Sequence, residues 1–413
     1  MPQPRSSEDW QALSYEAAQL FSPSAPVDEG DLFAGRSDQI NKTIEVILER
    51  GKHVILFGER GVGKTSFAHV LRLLIPSLSS QVFLIREQAD PSDDFTSIWK
   101  KVFKDIKIKT DDDEFILYDQ YKNVDKLAPD DVRRILDGLF KASQIPIIVI
   151  DEFDKIKDSE TKSLIANTLK YLSDFSINVT LMIVGVADDI GELVDQHESI
   201  ARCIEQIPMP RMSNDEMKEI LHKRLPRLNM KIEPDALWKV ITLSRGLPSY
   251  VHLLGLFAVQ DAIQKRRMTV TEENVDAAIN RAIEKSQESV QRDYATAIHT
   301  NRSDTLFQEV LIACALAKTD DRGMFSPNSI VGPLSSILDK EVTIANFQNH
   351  LKKFIGEERS RILIRKGKER AYKFRFRDPM MQPYVIMKGV EAGLIEAKAL
   401  DVLASPAQPE LPI

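Results

Sequence analysis

The sequence predicts an α/β protein: a parallel sheet covered by helices on both faces, then a small all-helical segment, then helices leading into a β-hairpin. Three observations carry this. Short runs rich in Val and Ile recur between amphipathic stretches through residues 31–210. That alternation stops near residue 210, where helix signals take over. Beyond residue 300, two alternating segments flank a charged turn containing Gly367.

The apolar runs are His53–Phe57, Val82–Arg86, Ile145–Ile150 and Val179–Val186. They are too short for buried helices and apolar on both faces, which suits strands of a parallel sheet buried on both sides. Segments between them, such as Ser159–Phe175, have helical periodicity, which completes an αβα pattern. Before this region lie Pro2, Pro4, Pro23 and Pro26 among Ser and acidic residues, the composition of an arm or linker, with a short helix expected over Gln11–Phe21. Residues 391–413 form a tail in which Pro406, Pro409 and Pro412 predict disorder.

After residue 210, Ser213 followed by Glu216 is a capping box that starts a helix. Further helices run to about residue 290, broken at Pro226, Pro234 and Arg245-Gly246-Leu247-Pro248, with no strand signal among them. In the last third, Leu306–Ala317 and Val342–Phe354 read as helices separated by a break at Ser326-Pro327. Arg361–Arg365 and Ala371–Phe376 then read as a hairpin. Helices followed by a hairpin are the order of a winged helix-turn-helix.

Composition narrows the function classes. The chain has 413 residues, 43% hydrophobic and 28% charged, as in an ordinary globular protein of several domains. A net charge of −7 leaves no overall attraction for nucleic acid or anionic membrane, so any such contact must be local. Cys203 and Cys314 have no partners at metal-ligand spacing and exclude a disulfide framework; a reducing cytoplasm fits them. No apolar secretory segment opens the chain, and no apolar run approaches the ~18 residues that span a bilayer. The acidic run Asp111–Glu114 reads as a solvated loop.

The strongest motif is Gly58-Glu59-Arg60-Gly61-Val62-Gly63-Lys64-Thr65, which matches G-x-x-x-x-G-K-[ST] throughout. Glycines let the backbone curl so that consecutive N–H groups face phosphate oxygens. The helix that follows, expected over Thr65–Leu74, points its positive end at the same place. Lys64 is placed to reach the β- and γ-phosphates, Thr65 to ligate Mg²⁺, and the adjacent Ser66 to line the same turn. The strand before the loop and the helix after it are the context this motif requires. ATP is therefore the expected ligand.

A second element complements it. Four aliphatic residues, Ile147–Ile150, deliver Asp151 and Glu152 at the end of a buried strand. Asp151 is suited to the Mg²⁺ shell and Glu152 to polarising the attacking water. On its own such a segment is equally a strand ending in an acidic turn. After a phosphate loop it points to hydrolysis rather than storage of ATP.

With these motifs the chain resembles the AAA+ ATPases, closest in layout to the origin-recognition and clamp-loader group. The resemblance covers residues 31–290 well and 300–390 loosely. It implies an arm over 1–30, a P-loop nucleotide-binding domain over 31–210, a helical lid over 211–295 and a winged-helix-like domain over 300–390. Leu32-Phe33-Ala34-Gly35-Arg36 is similar to the family's segment beside the adenine, which implies a nucleotide contact for Arg36. Ala201-Arg202-Cys203 followed by Ile207-Pro208 is similar to a segment that supplies an arginine to the neighbouring subunit's ATP. Arg202 then has a catalytic role in trans and implies a homo-oligomer joined at its ATP sites; the bland reading is a surface arginine. Two positions depart from the family. Asp188 stands where the γ-phosphate sensor is usually Asn, and Ser249 where the lid usually offers an arginine, with Arg245 nearby.

Between Lys352 and Arg377 there are eleven Lys or Arg and three Glu. A basic hairpin on a helix-turn-helix suits duplex DNA phosphates. The same residues also suit a solvated face or an acidic partner protein. Tyr372, Phe374 and Phe376 alternate in the second segment and are expected to mark its core-facing side rather than a base-stacking platform. Three functions remain open: an ATPase acting on DNA, an ATP-gated regulator of a separate effector protein, for example in phage defence, and a transposition-type regulator.

Overall fold

A computed structural model describes residues 6–23, 30–74, 82–109, 114–139, 145–186, 200–300, 305–320, 323–367 and 371–395. They fall into two compact units. One comprises residues 26–59 and 63–209, and the other residues 1–25, 60–62 and 210–413.

The chain begins with α1 (Ser7–Leu20), which starts earlier than the expected Gln11 because Ser6 and Asp9 form a capping box. The first unit then runs through α2 (Ser37–Leu48), β1 (His53–Gly58), α3 (Lys64–Val70) and β2 (Val82–Gln88). It continues with α4 (Phe95–Lys104), β3 (Lys107–Lys109), β4 (Glu114–Ile116), α5 (Tyr118–Tyr121) and α6 (Pro129–Leu139). It closes with β5 (Ile145–Asp151), α7 (Ser159–Asp174), β6 (Thr180–Gly185) and β7 (Ile204–Met209).

The five-stranded sheet has the order β2-β5-β6-β1-β7, and every pairing is parallel. Ile55, Leu56, Ile147, Ile148, Leu181 and Ile183 are fully buried, as their two-sided apolar runs require. Trp99, Val102, Phe103, Ile165 and Leu169 of the flanking helices complete one face of that core. β7 has no counterpart among the apolar runs of the sequence. Glu205, Gln206 and Pro208 interrupt it, which an edge strand tolerates because one side makes no ladder bonds. The β3–β4 hairpin is likewise absent from the sequence pattern.

The other unit continues from α1 with α8 (Asn214–Arg224), β8 (Lys231–Ile232), α9 (Pro234–Ser244), α10 (Pro248–Gln264), β9 (Thr269–Val270), α11 (Glu272–Glu284) and α12 (Glu288–Ile298). The capping box at Ser213 and Glu216 forms as expected. The parallel pair β8–β9 corrects the strand-free reading of this segment; two residues per strand are too few to leave a periodic signal. Buried Arg224 donates from Nε to the Leu20 carbonyl at 2.9 Å, and His252 Nδ1 accepts from the Ser22 amide at 3.1 Å, so α1 is fastened to this unit.

The chain then forms α13 (Phe307–Leu316), α14 (Asn328–Leu338), α15 (Ile344–Phe354), the antiparallel pair β10 (Leu363–Lys366) and β11 (Lys373–Phe376), and α16 (Met381–Glu391). Phe374 and Phe376 are buried against Phe325, so the expected core-facing side of β11 is observed. Arg365 lies 4.3 Å over the Tyr372 ring.

Candidate functional site

The glycine loop follows β1, and its conformation explains the residue types. Gly58 pairs with Met209, and a Cβ there would lie 2.4 Å from the Met209 carbonyl oxygen, so the neighbouring edge strand excludes any side chain. Gly63 has φ +96 at the N-cap of α3, a left-handed position that glycine takes at little cost. Thr65 and Ser66 occupy the first turn of α3, with Lys64 as its first residue. Lys64 Nζ donates to the carbonyls of Gly58 at 2.9 Å and Glu59 at 2.8 Å, arching over the start of the loop. Burial lowers the Lys64 pKa, opposed by the charges of Asp154, Asp151, Glu59 and Glu152. The lysine and the carboxylates of the β5 end are therefore close enough to feel one another across the site.

Asp151 ends β5 and is 2% exposed. Its Oδ1 accepts from the Glu152 amide at 2.8 Å, and its Oδ2 accepts from Arg86 Nη2 at 2.9 Å. Glu152 has φ +54, an uncommon backbone state for a side chain of this kind and one that clusters at functional sites. Fully buried Phe153 anchors the turn behind it. The Glu152 carboxylate, swung off the strand end, meets Lys155 and Gln88. Gln88 is the residue that β2 registers against Asp151. Asp154 Oδ1 accepts from the Val186 amide at 3.1 Å, which ties the turn to the end of β6.

Four groups here were not singled out from the sequence: Arg86, Gln88, Asp154 and Lys155. One signal for Arg86 was available, since an arginine closing an apolar strand run, where the strand continues into the sheet, needs a partner. Asp154 and Lys155 follow the Asp151-Glu152 pair within a single turn and could have been read with it.

Arg36, expected near the adenine, is the left-handed N-cap of α2 and is 2% exposed. Arg202 lies elsewhere. It precedes β7 at the amino ends of the strands, where the His53 amide donates to the Cys203 carbonyl at 2.8 Å, whereas the glycine loop follows the carboxyl end of β1. Its exposed side chain pairs with Asp174 at the end of α7. Asp188 lies outside the described residues. In the other unit, Ser249 opens α10 just after Pro248. Arg245 is a half-buried left-handed C-cap of α9 that donates to the Ala317 carbonyl at 3.2 Å. Burial, and then the nearby Arg211, lowers its pKa to about 10.

Within the described residues no group of three His, Cys, Asp or Glu side chains could hold a metal by itself. One carboxylate and one hydroxyl, Asp151 and Thr65, are the hard oxygen donors that suit a Mg²⁺ ion carried by phosphates, so the residues fit that ion. No helix among the described residues is long and apolar enough to cross a membrane. Both cysteines are buried and free.

The family model described as Novel STAND NTPase 1 (nSTAND1) matches residues 24–324, nearly three-quarters of the chain. The chain belongs to the nSTAND1 family. No curated protein matches it. Among solved structures it is similar to a Walker-type ATPase of Pyrococcus abyssi, with a TM-score of 0.51 and 15% identity over 89% of this chain and 99% of the other. Cdc6p from Pyrobaculum aerophilum gives a TM-score of 0.47 and 14% identity over 91% and 98% of the two chains. The ORC1 protein of Aeropyrum pernix, solved in complex with DNA, gives 0.47 and 14% over 91% and 97%. These likenesses concern the fold. The nSTAND1 chain is thus an NTPase-family protein with a parallel α/β fold, shared with a Walker-type ATPase, as the sequence resemblance implied for the fold.

Proposed function

We propose that this protein binds ATP with Mg²⁺ at Gly58–Thr65 and Ser66, hydrolyses it, and works in the cytoplasm as a nucleotide-switched oligomer. Residues 31–210 serve as the nucleotide-binding domain, 211–295 as its lid and 300–390 as a winged-helix-like domain. The observation that carries this reading is that the glycine loop after β1 and the Asp151-Glu152 turn after β5 leave the same, carboxyl-terminal edge of one parallel sheet.

In this reading the loop amides and Lys64 bind the phosphates, and Arg36 contributes near the base. Thr65 and Asp151 would hold Mg²⁺, which would supply positive charge to offset that of the phosphates. Glu152 orients water for attack on the γ-phosphorus. As the bond to the bridging oxygen breaks, its carboxylate accepts the water proton and passes it to the released phosphate. Arg202, far from its own loop, serves the ATP of a neighbouring copy.

The test of the oligomer is turnover per molecule against protein concentration, with sizing in ATP. The reading expects turnover to rise with concentration as the copies associate. A flat profile contradicts it.

Duplex DNA is the first partner to examine, through residues 352–377. A second reading, regulation of a separate effector protein, is favoured by one observation. Arg361, Lys373 and Arg377 of the basic stretch are paired within the chain to Glu357, Asp320 and Asp293. Such exposed pairs are worth about 0–1 kcal/mol, so phosphates could displace them. Low-salt binding to duplex DNA, weakened by Lys366→Glu with a salt slope shallower by about 1, supports the DNA reading. No binding at low salt leaves the effector reading.

A further inference from the structure

Arg86 stands out among the groups around the loop. It is half-buried near the end of β2, and it takes an oxygen of the carboxylate assigned to the metal. The Asp151 carboxylate is almost wholly enclosed, while the Arg86 side chain is partly exposed. Both Asp151 oxygens are engaged, Oδ1 by the Glu152 amide and Oδ2 by the guanidinium. The strand register fixes this pairing. Arg86 faces Val149 and Gln88 faces Asp151, so the guanidinium reaches along the sheet to the end of β5.

Charge decides what this neighbour does to a metal. A divalent cation approaching a carboxylate whose oxygen already binds a guanidinium meets repulsion at short range, and the enclosed site screens it less than open water does. Lys64 adds positive charge on the loop side, and Lys155 is paired to the next carboxylate, Glu152. A merely structural arginine would orient Asp151 and so assist the metal. A competing arginine would make the metal displace or share it. The enclosed, fully engaged carboxylate favours competition.

We infer that Arg86 competes with Mg²⁺ for Asp151 and thereby sets how strongly nucleotide binding depends on the metal. This rests on the proposal that Asp151 serves Mg²⁺·ATP. For Asp151 to serve a metal, the guanidinium would have to give up or share Oδ2. Arg86 is a positioning residue for the metal rather than a catalytic one.

The test is the dissociation constant of a fluorescent, non-hydrolysed ATP analogue, measured in EDTA and in saturating Mg²⁺ for the full-length wild type, Arg86→Met and Arg86→Lys. The readout is the ratio of the two constants, which reports metal dependence without turnover. Thermal melting checks that the variants fold. Arg86→Met should raise the ratio by about tenfold, the scale of one partly screened unit charge. Arg86→Lys, which keeps the charge, should stay near wild type. An unchanged or lowered ratio in Arg86→Met with wild-type melting overturns the inference and leaves nucleotide binding intact. A wild type that binds the analogue in neither condition overturns the nucleotide site, and this inference with it.

Discussion

The two ends of the central sheet handle charge in opposite ways. At the carboxyl ends of the strands, Lys64, Arg86, Asp151, Glu152 and Lys155 are held by one another or by loop carbonyls, and Asp151 is enclosed. At the amino ends, Arg202 and Asp174 form one exposed pair, next in sequence to Phe175, which is 59% exposed. Enclosed, mutually oriented charges suit chemistry on a phosphate, because they need little reorganisation when charge develops. An exposed pair opens easily, because breaking it costs about 0–1 kcal/mol. The proposed reading assigns reaction to the first end and association to the second.

The comparison can be broken at each end. The largest effect is expected from Lys64→Ala, which removes the ammonium that arches over the loop carbonyls. ATP binding should fall below detection by calorimetry while the melting temperature changes little. Persistent binding would mean that the enclosed charges serve structure alone.

Arg202→Ala should separate the ends. Binding of ATP should be unchanged, while turnover at associating concentrations falls by about a hundredfold, the scale for removing one preorganised donor. Mixing Arg202→Ala with Lys64→Ala protein should restore part of that activity, because each supplies what the other lacks. Absence of restoration would place Arg202 on an inert surface.

A smaller effect concerns what fastens the amino end. His53 is buried at the start of β1, with Nε2 against the Leu169 carbonyl and Nδ1 accepting from the Leu181 amide. Burial lowers its pKa to about 4, against the weaker opposing effect of the Leu169 carbonyl. The folded pKa lies below the ordinary 6.5, so the unfolded chain takes up the proton first. Stability is whole above about pH 6.5 and falls as the pH drops toward 4, by about 2 kcal/mol at pH 5. His252 in the other unit, with a pKa lowered to about 3, adds a similar term. Melting between pH 7.5 and pH 5 should therefore fall, and His53→Gln should flatten part of that slope. An identical slope in the variant would remove His53 from the explanation.

The sheet was largely legible because two-sided apolar runs such as Ile147–Ile150 have few other uses. Its edge strand β7 was not, since Glu205, Gln206 and Pro208 break the run and only pairing with β1 defines it. The loop and the Asp151-Glu152 end could be read because both lie in contiguous segments. Arg86 could not be assigned a partner, because its link to Asp151 spans 65 residues and depends on the β2–β5 register. Asp174 is in the same position relative to Arg202. Contiguity carries a motif, and register carries its neighbours.

The most direct measurement of the central claim is ATP binding and phosphate release by wild type and Glu152→Gln under the same conditions. Glu152→Gln keeps the size of the side chain and removes the base. Binding should match wild type, and turnover should drop by about two to four orders of magnitude. Wild-type turnover in Glu152→Gln would contradict the assignment of this carboxylate, and with it the reading of the enclosed end as the site of hydrolysis.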